Sequence, residues 1–172
     1  MKYPRRLSAG ANNTVIVLSA TEVGKLFVGD TRSELGSEAG KLRFANGVNG
    51  LVATFIRLEY NEAIQAEMLV MERIYPLDFR AYEVEIRELQ LEVFEDELRQ
   101  LHRAGFVHRD LRRPSNIGGL SFDNILLTQT GLRLIDVGIS ALREQVGEKI
   151  FHKYVAIELA EMVEFRTWFL ER

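Results

Sequence analysis

The texture of this chain changes once along its length, and that change limits what it can fold into. Up to residue 75 the apolar side chains come in short runs, at 14–18 (TVIVL), 25–28 (KLFV), 51–58 and 68–74. These runs are β-branched or aromatic and bounded by Asn, Gly and Asp, as strands are. Residues 19–24 and 60–67 read as the turns between them. One interruption, residues 33–44, sets Leu35, Ala39 and Leu42 at helical spacing before Asn46, Gly47, Asn49 and Gly50 stop it. After Pro76 the rhythm becomes helical. Val84, Leu91, Phe94, Leu98 and Leu101 trace one apolar stripe that Gly105 ends, and Val155, Leu159, Met162, Phe165 and Phe169 trace another over 151–170. Two short strand candidates, 125–128 and 132–135, lie between the helices. Strands first and helices afterwards predict an α+β chain: an antiparallel sheet of four or five strands crossed by one helix, then a short, mainly helical part.

A length of 172 residues allows one domain or two small lobes sharing a crevice. With 47% apolar and 27% charged residues the balance is that of a globular protein. Setting 22 basic against 25 acidic residues leaves a net charge of -3, which argues against a chain whose main task is coating nucleic acid or an anionic membrane. There is no cysteine, so disulfides, thiolate nucleophiles and zinc–thiolate sites are excluded. That absence fits a reducing cytoplasm, and no apolar run reaches the ~18 residues of a membrane span. The expectation is a cytoplasmic chain. The acidic series Glu83, Glu85, Glu88, Glu92, Glu95, Asp96 and Glu97 reads as a solvated helix face. Phe165, Trp168 and Phe169 read as core, with a protein partner or second copy as the alternative they would cover.

Candidate chemistry gathers after the first long helix. Asp110 follows His108 and Arg109, Asn124 opens the run Asn-Ile-Leu-Leu, and Asp136 sits in Leu-Ile-Asp-Val-Gly. Each alone reads as a turn former or helix cap. Phosphoryl transfer, however, needs one carboxylate to orient the accepting hydroxyl, and an Asn with a second carboxylate to hold magnesium against nucleotide phosphates.

This ordered series resembles the catalytic and metal-binding loops of the protein-kinase-like superfamily. The resemblance extends upstream over roughly residues 7–140. Residues 69–74 look like the strand and hinge between two lobes, with Met71 as gatekeeper and the backbone from Glu72 to Ile74 facing adenine; Glu38 matches the ion-pairing glutamate of the first helix. It implies an N-lobe over 1–75, a minimal C-lobe over 76–172 and a hinge near 72–76. It also implies an ATP- and Mg2+-dependent phosphotransferase acting on a hydroxyl of a protein, sugar or other small molecule. Asp110 would then be catalytic, Asn124 and Asp136 would hold the metal, and Glu38 would position a lysine.

Several residues depart from the family pattern. Asn124 lies fourteen residues after Asp110, and Asn116, six after, competes for the role. Asn124 is preferred because it leads directly into the strand pair before Asp136. Residues 112–122 would then be an insertion whose Arg112, Arg113, Ser115 and Asn116 face an anionic substrate or simply solvent. The strand lysine is expected where Gly29 stands. Lys25 lies roughly 13 Å away along an extended strand and reaches the site only if the hairpin register shifts. Lys41, at helical spacing from Glu38, is another partner for it. Residues 7–14 hold one glycine where a phosphate-covering loop is richer, and no Gly-Lys-Ser/Thr occurs. The 34 residues after Gly138 fit the small atypical branch: RIO-like, Kae1-associated, lipopolysaccharide-core and aminoglycoside-phosphotransferase-like proteins. The Gly29 departure keeps a second reading open, a pseudokinase that binds nucleotide or scaffolds. A glycosidase using Asp110 and Asp136 leaves Asn124 unexplained. His102, His108 and His152 lack ligand spacing, His108 is expected to pack within its loop, and Arg109 to hold Asp136 or its backbone.

Overall fold

The computed structural model describes residues 6–9, 13–27, 35–63, 65–112 and 121–171. Its first part is built on β1 (Arg6–Ala9), β2 (Asn13–Val17), β3 (Glu22–Phe27), α1 (Leu35–Asn46), β4 (Phe55–Asn61) and β5 (Ala66–Glu72). Among the described residues these strands form one sheet in the order β1-β2-β3-β5-β4, every pair antiparallel. Alternation gives the sheet two apolar faces. Ile16, Leu26, Met68 and Val70 make a small cluster on one, while Leu69 on the other joins Ala39, Leu42 and Ala45 of α1. A Cβ on Gly24 would lie 2.3 Å from the Met68 sulfur, so any larger residue there forces the buried Met68 side chain to move.

The run 51–58 is a strand only from Phe55 onward. Leu51, Val52 and Ala53 are buried, but their backbone pairs elsewhere: Leu51 O accepts from Leu134 N at 2.8 Å, and Ala53 N donates to Leu134 O at 2.9 Å. A buried apolar run has the same composition whichever neighbour it pairs with, so the sequence misplaces this boundary. The expected turn at 60–67 is shorter, since Tyr60 and Asn61 pair with Glu67 and Ala66.

The second part holds α2 (Val84–Ala104), β6 (Phe106–Val107), β7 (Ile125–Thr128), β8 (Gly131–Leu134), β9 (Ala141–Leu142), α3 (Arg143–Val146) and α4 (Glu148–Leu170). Helix α2 buries Leu91, Phe94, Leu98 and Leu101 as its stripe predicts, but leaves Val84 exposed. Gly105 closes it at φ 108°, a conformation that favours glycine, with its N–H donating to Leu101 O and His102 O. The buried stripe of α4 is rotated from the expected one: it runs through Phe151, Glu158, Met162, Phe165 and Phe169, with Val155 and Leu159 half-buried at its edge. Phe165 and Phe169 stack at 5.4 Å, and Phe79 lies edge-on to both and to Trp168. Phe165 and Phe169 are fully buried and belong to the core, while Trp168 is half-buried against Phe79 and Phe122. The β7–β8 hairpin connects the two parts, bonding residues 51–53 on one side and accepting Leu77 N at Leu127 O (2.7 Å) on the other. Among the described residues no helix is long and apolar enough to cross a membrane.

Candidate functional site

Lys25 sits in the middle of β3 on the sheet face that α1 covers, almost wholly buried. Its Nζ donates to Glu38 Oε1 at 2.7 Å and to Asp136 Oδ1 at 2.8 Å. The expectation that the strand's cation is missing and replaced by Gly29 is therefore corrected. β3 begins at Glu22, three residues before the run that marked it in the sequence, so Lys25 is mid-strand and already opposite α1. Gly29 lies outside the described residues. Lys41 does not take Glu38 as hydrogen-bond partner; its Nζ donates to Gly138 O at 3.2 Å.

The electrostatics follow from crowding two carboxylates about one ammonium. Burial pulls the Lys25 ammonium toward neutrality, but Asp136 and Glu38 outweigh it and leave its pKa above the usual lysine value. Burial pushes Glu38 up despite Lys25, and its Oε2 has no hydrogen-bond partner among the described residues. Asp136 also resists burial, but Lys25 and the Gly138 N–H hold it below the ordinary aspartate value. Its backbone is left-handed, φ 58°, which turns the side chain toward Lys25 at the end of β8.

Asp110 and Asn124 form the adjoining pair. Asn124 Nδ2 donates to Asp110 Oδ2 and to Asp110 O, both at 2.9 Å, so its amide oxygen is the end directed elsewhere. Asn124 O accepts from Ile135 N at 3.0 Å, which sets Asn124 across the hairpin base from the residue before Asp136. Asp110 is raised above the usual aspartate value, by burial first and by the Asp136 charge among the further causes. Asn116 and Arg113 lie outside the described residues, while Arg112 ion-pairs with Glu164.

The loop carrying Asp110 is held from three directions. The buried His108 ring donates from Nε2 to Ile135 O at 2.9 Å, so where packing within its own loop was expected it ties that loop to the Asp136 loop. Arg109, left-handed at φ 70°, donates to Ile139 O at 3.0 Å and lies 3.9 Å over the Tyr154 ring. It thus holds backbone just beyond Asp136. From below, the buried Glu158 accepts from His108 N (3.3 Å), Arg109 N (2.5 Å) and the His102 ring (2.9 Å). The sequence reading missed Glu158. A signal was present: it shares the period of Phe151, Met162, Phe165 and Phe169, where an acid must have a buried use.

Met71 pairs with Val23 in the register two positions from the Lys25–Leu69 pair and shares their face. Glu72 turns away from that cluster. Its carboxylate accepts from Thr54 N (2.9 Å) and Thr54 Oγ1 (3.0 Å) and pairs with Arg133 on β8. Ile74 follows β5 beside a shallow cavity lined also by Tyr75, Leu77 and Thr128. Lys25, Glu38 and Asp136 thus come together directly, Asp110 and Asn124 adjoin them, and Met71 lines the same face.

One turn beyond Glu158, Glu161 is raised to about 7 by burial and by the charges of Glu158, Asp110 and Glu164. Its folded value exceeds its unfolded one, so the fold binds the proton more tightly and loses stability as pH rises from about 4.5 through 7. Glu161→Gln is expected to be more stable than the native chain at pH 8, by about 1 kcal/mol after discounting for solvent screening. Urea unfolding across pH checks it, with the advantage disappearing near pH 5.

As to magnesium, no group of three or more His, Asp or Glu among the described residues is arranged to hold a metal ion. One carboxylate and one amide oxygen, from Asp136 and Asn124, are nevertheless the hard donors a protein contributes when phosphates and waters complete the shell, so the residues fit the ion.

No protein-family model matches the sequence, and no curated protein matches it. Among solved structures the chain is similar to the kinase PK-1 of Cydia pomonella granulovirus, with a TM-score of 0.57 and 15% identity over 80% of this chain and 53% of that one. The chain spans about half the length of that kinase. The sheet crossed by α1, the hairpin that links it to the helical part and this similarity together give the chain a protein-kinase-like two-lobe fold.

Proposed function

We propose that the chain is an atypical kinase that moves the γ-phosphoryl group of ATP, with Mg2+, to a hydroxyl on a protein, sugar or other small molecule. The observation that carries this reading is Lys25 lodged between Glu38 and Asp136, beside the Asp110–Asn124 pair. In this reading the lobes divide near residues 75 and 76, and backbone from Glu72 to Ile74, with Met71, faces the adenine. Lys25, steered by Glu38, neutralises phosphate oxygens, and Asn124 and Asp136 hold the ion. The bound ion offsets negative charge on the oxygens of the group in transit. Asp110 accepts the hydroxyl proton as the acceptor oxygen bonds to phosphorus and the bond to the leaving diphosphate breaks. Only residues 137–147 separate Asp136 from α4, leaving little room for a long activation segment; this supports the small atypical branch. The scaffolding alternative drew on an absent strand cation and on the short C-lobe, and the Lys25 ion pairs speak against the first of these.

The test compares magnesium-dependent ATP turnover and nucleotide-induced thermal stabilisation in the native chain and Asp136→Ala. The native chain is expected to gain about 2.7 kcal/mol at a hundredfold excess of nucleotide over Kd. The variant should lose the magnesium-dependent part and at least about tenfold in turnover. Turnover that survives the substitution unchanged would sink the enzyme assignment.

A further inference from the structure

Away from this cluster, α2 and the β7–β8 hairpin enclose a groove of about 320 Å³. Buried Phe94 and Leu132 line it, and Ile86, Leu89 and Val93 stand along it 44%, 59% and 59% exposed. These three share one face of α2, because their spacings of three and four bring them to nearly the same side. A helix normally turns such a stripe inward, yet α2 already buries a separate one through Leu91, Phe94, Leu98 and Leu101. The exposed stripe is therefore surplus to the fold.

Its surroundings are acidic. Glu85, Glu92 and Asp96 flank the stripe on its solvent side, and Glu97 lines the groove itself. Among the described residues Glu85 and Glu92 have no ion pair, and Asp96 reaches only Gln100 and, at 4.0 Å, Arg103. Among the described residues the one cation lining the groove, Arg133, is engaged by Glu72. Burial raises Glu97 above the usual glutamate value in spite of Arg133. The Gln90 amide oxygen, also at the groove, is buried with no hydrogen-bond partner among the described residues, which leaves it an unsatisfied acceptor.

We propose that this groove docks a peptide segment of a partner protein that carries two or three large apolar side chains flanked by Lys or Arg. The apolar side chains fill the groove along Leu89 and Val93, and the flanking cations meet Glu85, Glu92, Asp96 and Glu97. Charge complementarity selects this occupant. A second copy laid on the same face would set two acidic rims against each other, and nucleic acid or an anionic membrane would meet like charge.

The test uses short fluorescein-labelled peptides with Leu and Ile between Lys–Arg flanks, a second set with Glu at the flanks, and the full chain without nucleotide, so the outcome is independent of the kinase reading. Anisotropy should show saturable binding of the basic set, weakened by salt and at least about tenfold tighter than the acidic set. Leu89→Asp, on an exposed position that does not threaten folding, should weaken it about tenfold or more. Glu85→Lys with Glu92→Lys should reverse the preference between the two sets. Equal binding of both sets, or basic-peptide binding indifferent to Leu89→Asp, overturns the proposal. So does a native chain that sediments as a dimer which Leu89→Asp dissociates, because the occupant is then a second copy.

Discussion

Asp110→Asn is expected to lower phosphoryl transfer by about 10²–10⁴-fold while leaving nucleotide affinity within a factor of a few. Geometry isolates the effect to one proton. The side chain of Asp110 touches Asn124 Nδ2, and the amide oxygen of an Asn at 110 accepts that bond as well, so the loop keeps its shape. What disappears is the group able to take the hydroxyl proton. Lys25, Glu38 and Asp136 are untouched, and Asn124 keeps its bond to position 110. The pH profile sharpens the expectation: burial raises Asp110, so the acidic limb of the native profile should lie above the ordinary aspartate range and be absent from the residual activity of the variant. Single-turnover kinetics with nucleotide binding measured separately decide it. A loss smaller than about tenfold, or a loss wholly in nucleotide affinity, would remove Asp110 from the proton-transfer role.

How much of this was legible beforehand depends on whether a feature is local or depends on a neighbour. The α2 stripe from Leu91 onward, the Gly105 stop and the 125–128 strand are local patterns, and the structure has them where the sequence puts them. The series Asp110, Asn124, Asp136 was readable as a constellation because its order survives in the chain, and the structure brings Asp110 onto Asn124. Lys25 was misjudged by distance along the strand. The relevant distance runs across the sheet face to α1 and Asp136, and the start of β3 at Glu22 could not be read from Glu22, Val23 and Gly24, which look like turn. β1 was missed altogether because Arg6–Ala9 is too short for a periodic signal. Residues 51–53 failed for the opposite reason, a strong apolar signal whose hydrogen bonds go to Leu134 and not to the sheet. Glu158 is the instructive case. Its spacing assigned it to a buried stripe, but its charge made it look like one more solvated acid, and only the Asp110 loop above it explains both.

That position carries the second large effect. Glu158→Ala is expected to cost roughly 3–5 kcal/mol of stability, the range for removing one partner from a buried charged network. The substitution strands the N–H groups of His108 and Arg109 and one nitrogen of the buried His102 ring. Arg109 adds to the cost, because a non-glycine residue at φ 70° persists only where surrounding contacts hold it, and Glu158 supplies one of them. A fall in stability alone would make Glu158 merely structural, so the conservative Glu158→Gln decides the matter. Its amide oxygen still accepts from a loop N–H but cannot serve His102 and both amides as the carboxylate does, so stability should fall less. If Glu158 positions the Asp110 loop, Glu158→Gln should lower kcat with little change in the KM for nucleotide. It should also speed hydrogen exchange at the His108 and Arg109 amides above that of the α2 interior. Denaturant unfolding, steady-state kinetics and site-resolved exchange on the same protein supply the three readings. Full kcat with accelerated exchange would separate the rigidity of this loop from the chemistry.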